Sequence, residues 1–130
     1  LPGQPTQTTV EEIDVRKQEN TQLPIGGVGC ENTNAVINSP LSGAVLSGDV
    51  EVQGTADITD FAFYTLEIST VGDNWLTVHT HDIPVSSGVL GNWNASIHDP
   101  GEYAFRLVVY NAAGAYSQPC TIPIFIGSGP

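Results

Sequence analysis

Between Asp99 and Gly114 the chain reads Asp-Pro-Gly-Glu-Tyr-Ala-Phe-Arg-Leu-Val-Val-Tyr-Asn-Ala-Ala-Gly, a strand held between two turns. Proline fixes φ, glycine permits φ > 0 and an aspartate side chain bonds nearby amides, so Asp99-Pro100-Gly101 reverses the chain. From Tyr103 the apolar residues Tyr103, Phe105, Leu107 and Val109 alternate with Ala104, Arg106, Val108 and Tyr110. One face of this strand is wholly apolar and the other mixed, so a second layer must cover it. The rest of the chain reads as the material for that layer.

Other strands follow the same grammar. Ala35–Pro40 is a short strand stopped by proline, Asp49–Ala56 alternates cleanly, and Phe61–Ser69 sets Tyr64, Leu66 and Ile68 on one face with Phe61 and Phe63 on the other. Trp75–Thr80 follows a Gly72-Asp73-Asn74 turn, with Trp75 a candidate core residue, and Val89–Ile97 carries a second anchor, Trp93. Tyr116–Ile126 ends the series, and Pro119 and Pro123 mark it as an edge strand, because proline donates no ladder bond. Fourteen glycines, nine prolines and short apolar runs leave little helix, so the 130 residues describe a single β domain of sufficient size for a real core.

Charge narrows the function. The net charge is −11 and the only cations besides histidine are Arg16, Lys17 and Arg106, which excludes nucleic acid and anionic lipid as main partners. No stretch approaches the ~20 apolar residues of a membrane helix. The chain starts at Leu1 and contains no methionine, as expected of a secreted protein that has lost its signal peptide. Two cysteines, Cys30 and Cys120, are most simply one disulfide in an exported chain. The alternatives are two free thiols or a metal pair, the latter without a CxxC or neighbouring Cys/His spacing to support it.

Residues 1–29 differ from the rest: rich in Pro, Thr and Gln, with two short apolar alternations, Ile13/Val15 and Leu23/Ile25. We read them as an extended N-terminal arm on a domain of residues 30–130. Fully extended, the arm reaches about 95 Å, far enough to touch a neighbour. It holds four acids against Arg16 and Lys17, while the remainder holds ten acids against Arg106. A solvated linker is the plain reading of that dipeptide, since exposed ion pairs contribute only ~0 to 1 kcal/mol.

Asp99, Gly101 and Tyr103 match the D-x-G-x-Y pattern, and this resembles the tyrosine corner of immunoglobulin-like sandwiches. Ile37-Asn-Ser-Pro40, Gly43, Val45, Gly48, Val50, Val52, Gly54 and Ala56 are similar to the first two strands of Ig-like and fibronectin type III-like modules on exported bacterial proteins. The resemblance implies an all-β antiparallel sandwich of about seven strands, without the usual inter-sheet disulfide, since Phe105 stands at the second cysteine's place. It also implies that the first strand lies beside the last, which would bring Cys30 to Cys120.

Few residues suggest chemistry. His79 and His81 share one strand face and are candidates for a cation, but two imidazoles are too few and a polar face is the preferred reading. Asp57, Asp60 and Asp73 fall in turns without a calcium-loop pattern. Asn94-Ala-Ser96 is a glycosylation sequon by pattern alone. With no nucleophile elbow, no cofactor motif and the single lysine in the arm, an enzyme is not expected and no cofactor is assigned.

Two functions remain. In the first, copies of the chain form a head-to-tail extracellular polymer in which the arm adds a strand to a neighbour's open sheet edge, through Leu23, Ile25 and Val28 first and Ile13 and Val15 next, with Arg16 and Lys17 against the acidic body. In the second, the chain is an Ig-like binding or spacer module of a larger cell-surface protein, in contact with carbohydrate or protein. Tyr110, Tyr116 or Phe61 lining a shallow groove would favour sugar.

Overall fold

The computed structural model describes residues 27–70 and 74–127. Eight strands run in chain order: β1 (Ala35–Ser39), β2 (Val45–Leu46), β3 (Asp49–Ala56), β4 (Phe61–Ser69), β5 (Leu76–His81), β6 (Val85–Asn94), β7 (Gly101–Asn111) and β8 (Cys120–Ile126). They form a sandwich of two sheets, one ordered β1-β3-β6 and the other β2-β8-β7-β4-β5. The alternating pattern led to the expectation of strands, and the resemblance at Asp99, Gly101 and Tyr103 to that of an Ig-like sandwich; the two-sheet, all-β arrangement agrees with both.

β7 sits near the middle of the larger sheet, antiparallel to β4 on one side and β8 on the other. Its odd residues Tyr103, Phe105, Leu107 and Val109 enter the core, where they meet Tyr64, Leu66 and Ile68 of β4 and Ile122, Ile124 and Ile126 of β8. Val50, Val52, Leu90 and Trp93 close the core from the smaller sheet. Each large apolar side chain so enclosed contributes about 1.5 to 3 kcal/mol. Trp93 stacks on Phe105, ring centroids 5.1 Å apart, which ties β6 of one sheet to β7 of the other.

Several local expectations need correction. Val89–Ile97 is not one strand: β6 begins at Val85, and Ala95–Ile97 form a 3-10 turn capped by the Asn94 side chain, which accepts from the Ser96 amide. Tyr116–Pro119 precede the last strand rather than belong to it. Trp75 is not a core residue but lies outside the larger sheet, with the Arg106 guanidinium 4.0 Å from its ring centre. Phe61 and Phe63 do not share a face, because an irregularity in the β4–β7 register falls between them. Phe61 packs against the core beside Tyr64, whereas Phe63 stays outside and stacks on Tyr110.

β8 is also not a bare edge. β2 pairs with it in parallel, Val45 opposite Phe125 and Leu46 opposite Ile126. The Pro123 carbonyl accepts from the Gly43 amide on that outer side, 2.7 Å away. A residue's N and C=O face the same way in an extended strand, so the missing proline N–H falls on the outer side and the ladder to β7 stays whole.

Candidate functional site

The covalent clamp comes first. A disulfide joins Cys30 to Cys120, closing a loop of sequence separation 90. Beside it, Val28 and Thr121 form an isolated antiparallel bridge. Gly27 and Gly29 flank Val28 at φ +81° and +79°, and a side chain would run into the Thr121 carbonyl of β8 at Gly27 and into the Pro119 carbonyl just before β8 at Gly29. Glycine is needed there because the chain must turn left-handed while lying flat against the strand. Val28, assigned to the arm that reaches a neighbour, is therefore occupied within its own chain. Ile13, Val15, Arg16, Lys17, Leu23 and Ile25 lie outside the described residues, as does Asp73.

At the start of β7 the Tyr103 hydroxyl donates to the Asp99 carbonyl across 2.6 Å, and Gly101 opens the strand at φ +152°. This fastens the turn between β6 and β7. Trp93 Nε1–H donates to His98 Nε2 at 3.1 Å, so His98 is neutral with its own proton on Nδ1. Burial holds the His98 pKa below its ordinary value, partly offset by the Asp99 carboxylate. A shallow cavity of about 170 Å³ lies here, lined by Ile68, Ser69, Thr70, Asn74, Leu76, His98 and Tyr103.

The outer face of the larger sheet is the candidate contact surface. β4 and β7 set Phe63 beside Tyr110, Thr65 beside Val108 and Glu67 beside Arg106. At one end Phe63 stacks on Tyr110, centroids 4.4 Å apart and planes 15° apart, and Tyr116 meets Tyr110 edge-on at 5.1 Å. Tyr116 is 52% exposed. Burial and the nearby Glu67 carboxylate push the Tyr110 hydroxyl above its ordinary pKa, so it is a neutral donor. On the same face of β7, four residues before Tyr110, Arg106 Nη2 and Nε lie 2.6 and 2.7 Å from Glu67 Oε1. The Thr65 hydroxyl donates to the other oxygen at 2.8 Å. Glu67 is buried, and these partners keep its charge compensated. On this face Tyr116 is exposed and Phe63 and Tyr110 are half-buried, while Thr65 and Val108 are buried and the Arg106 guanidinium is neutralised by Glu67.

Sequence reasoning named Tyr110 and Tyr116 but chose Phe61 where Phe63 stands. An even alternation from Tyr64 placed both phenylalanines on one side, and only the register irregularity separates them. His79 and His81 do share a face, with centroids 6.0 Å apart, but they point to the interior side, opposite Leu66 and Tyr64. They are half-buried rather than a solvated polar face. Asn94 is exposed, Asp60 sits in its turn at φ +58°, and Asp57 and Asp60 meet no partner acids in a metal-sized group. Among the described residues no three His, Cys, Asp or Glu side chains converge as a metal site, and no helix is long and apolar enough to cross a membrane.

No family model matches the chain, and no curated protein matches it. Among solved structures it is similar to the fibronectin(III)-like modules of CbhA from Clostridium thermocellum, with a TM-score of 0.54 over 72% of this chain and 96% of that one. At 16% identity the likeness is one of fold. Together with the two-sheet topology and the corner at Tyr103, it makes this chain an Ig/fibronectin type III-like β-sandwich.

Proposed function

We propose that the chain is a non-catalytic module of a larger extracellular protein, a spacer whose outer sheet face, around Phe63, Tyr110 and Tyr116, makes contact with carbohydrate or protein. The observation that carries this reading is the closure of the β8 edge from within. Thr121 is bonded to Val28, Pro123 to Gly43, Phe125 to Ala44 and Gly127 to Leu46. A polymer built by strand addition needs an acceptor edge with unpaired backbone groups. At β8 those groups are satisfied, and the adjacent disulfide fastens the chain beside Val28. The disulfide also suits an oxidising compartment outside the cell, and the neighbouring fold occurs as modules of CbhA.

Amide hydrogen exchange on the whole chain tests this. Protection of the Val28 and Thr121 amides should be unchanged over a roughly hundredfold dilution, because the pairing is intramolecular. Protection that fades on dilution would mean that a second copy supplies it.

A further inference from the structure

β5 is the outer strand of the larger sheet, paired with β4 on one side only. Its inward residues are Val78, which packs against the core, and the two histidines His79 and His81, whose rings lie 26° from parallel with centroids 6.0 Å apart. His79 reaches across to the other sheet and rests on the backbone of Gly91 in β6. A Cβ at Gly91 would stand 2.6 Å from His79 Cδ2. Tyr64 of β4 touches both imidazoles, with centroids at 6.3 and 5.7 Å. Its hydroxyl is committed to the Leu90 carbonyl, and burial keeps it protonated. The groups facing His79 are therefore Tyr64 from β4, His81 from β5 and uncharged backbone from β6. Asp82 follows His81 but is exposed, and neither histidine has an ion pair among the described residues.

We infer that His79 and His81 form an acid-sensitive closure between β5 and β6. Neutral, the two rings fill the seam between the sheets at the open side of the sandwich. Protonated, they set two like charges side by side against Gly91 and Tyr64, with no carboxylate to receive them, and β5 loosens from the body. The inner face of β4 and its backbone edge are then uncovered, an edge that another strand can pair with. Burial, and next the charge of His81, hold the His79 pKa below its ordinary value, which agrees with this geometry. The sign follows for His79: opening frees an imidazole whose protonation the closed strand disfavours, so closure weakens as pH falls below the ordinary histidine range.

Hydrogen exchange of the full chain at pH 7.5 and pH 5.0, corrected for intrinsic rates, reads this directly. Amides of β5 should lose protection at the lower pH. The double variant His79→Gln, His81→Gln should remove that pH dependence. If β5 protection is the same at the two pH values, or if the variant keeps the wild-type dependence, the inference is overturned. Should the variant fail to fold, an NMR titration of the wild-type rings decides: a His79 midpoint below the ordinary value supports the closure, and a midpoint at or above it refutes it.

Discussion

Val28 and Thr121 exchange two backbone hydrogen bonds of 2.7 and 2.8 Å, so the root of the N-terminal segment is a strand partner of its own domain. The pairing spends one of the few places where a neighbour could add a strand. Replacing Val28 by Pro removes the donor of one bond and should cost about 1 to 2 kcal/mol, read as a lower denaturant midpoint with an unchanged slope. If the variant unfolds at the wild-type midpoint, the bridge does not contribute in solution.

The disulfide should be a major source of stability. A cross-link of sequence separation 90 is worth about 4 to 5 kcal/mol on the chain-entropy model. Cys30→Ala with Cys120→Ala should therefore lower the unfolding free energy by about 4 kcal/mol. Cys120 is fully buried and its sulfur accepts from the Ile37 amide at 3.4 Å, so the native pair should resist alkylation until the chain is denatured and reduced.

Arg106 and Glu67 should behave as one unit. Arg106→Leu strands a buried carboxylate with only the Thr65 hydroxyl, and should cost about 2 to 3 kcal/mol. That is below the figure for fully enclosed pairs because the Arg106 side chain is 22% exposed. Replacing both residues by Leu should cost less than the single change, a coupling that a double-mutant cycle measures. Additive costs would contradict a coupled pair.

His98 gives a pH dependence that Trp93 can report. Neutral His98 accepts the indole N–H, and imidazolium cannot. Since burial lowers the native pKa, the contribution is complete above the ordinary histidine range and declines as pH falls below it. Tryptophan emission should change over that acidic range, and His98→Gln should abolish the change. Emission that is flat with pH in the wild type would show that the bond is not formed.

Most of the sandwich was legible because burial on one face leaves alternation in the sequence, as in Asp49–Ala56 and Tyr103–Val109. The turn at Asp99-Pro-Gly located the corner for the same kind of reason, a backbone conformation that few residue types accept. What escaped notice was decided by partners far along the chain. β2 is two residues long, and its role comes from β8 rather than from its own pattern. Trp75 is large and apolar, yet Arg106 gives it a place outside the sheet. The β5 strand hides its inward face because a register irregularity sets Val78 against the core beside His79, and imidazoles share the filling that alternation rules assign to aliphatic side chains. The contact face was half visible: Tyr110 and Tyr116 are named by type, and Phe63 only by register.

The most direct measurement is the mass of the intact chain in solution by light scattering across a wide concentration range. A self-complete module should hold at the 13.7 kDa of one chain, and deleting residues 1–26 should leave the remainder folded and equally monomeric. A ladder of larger species that collapses to monomer when those residues are removed would contradict the account.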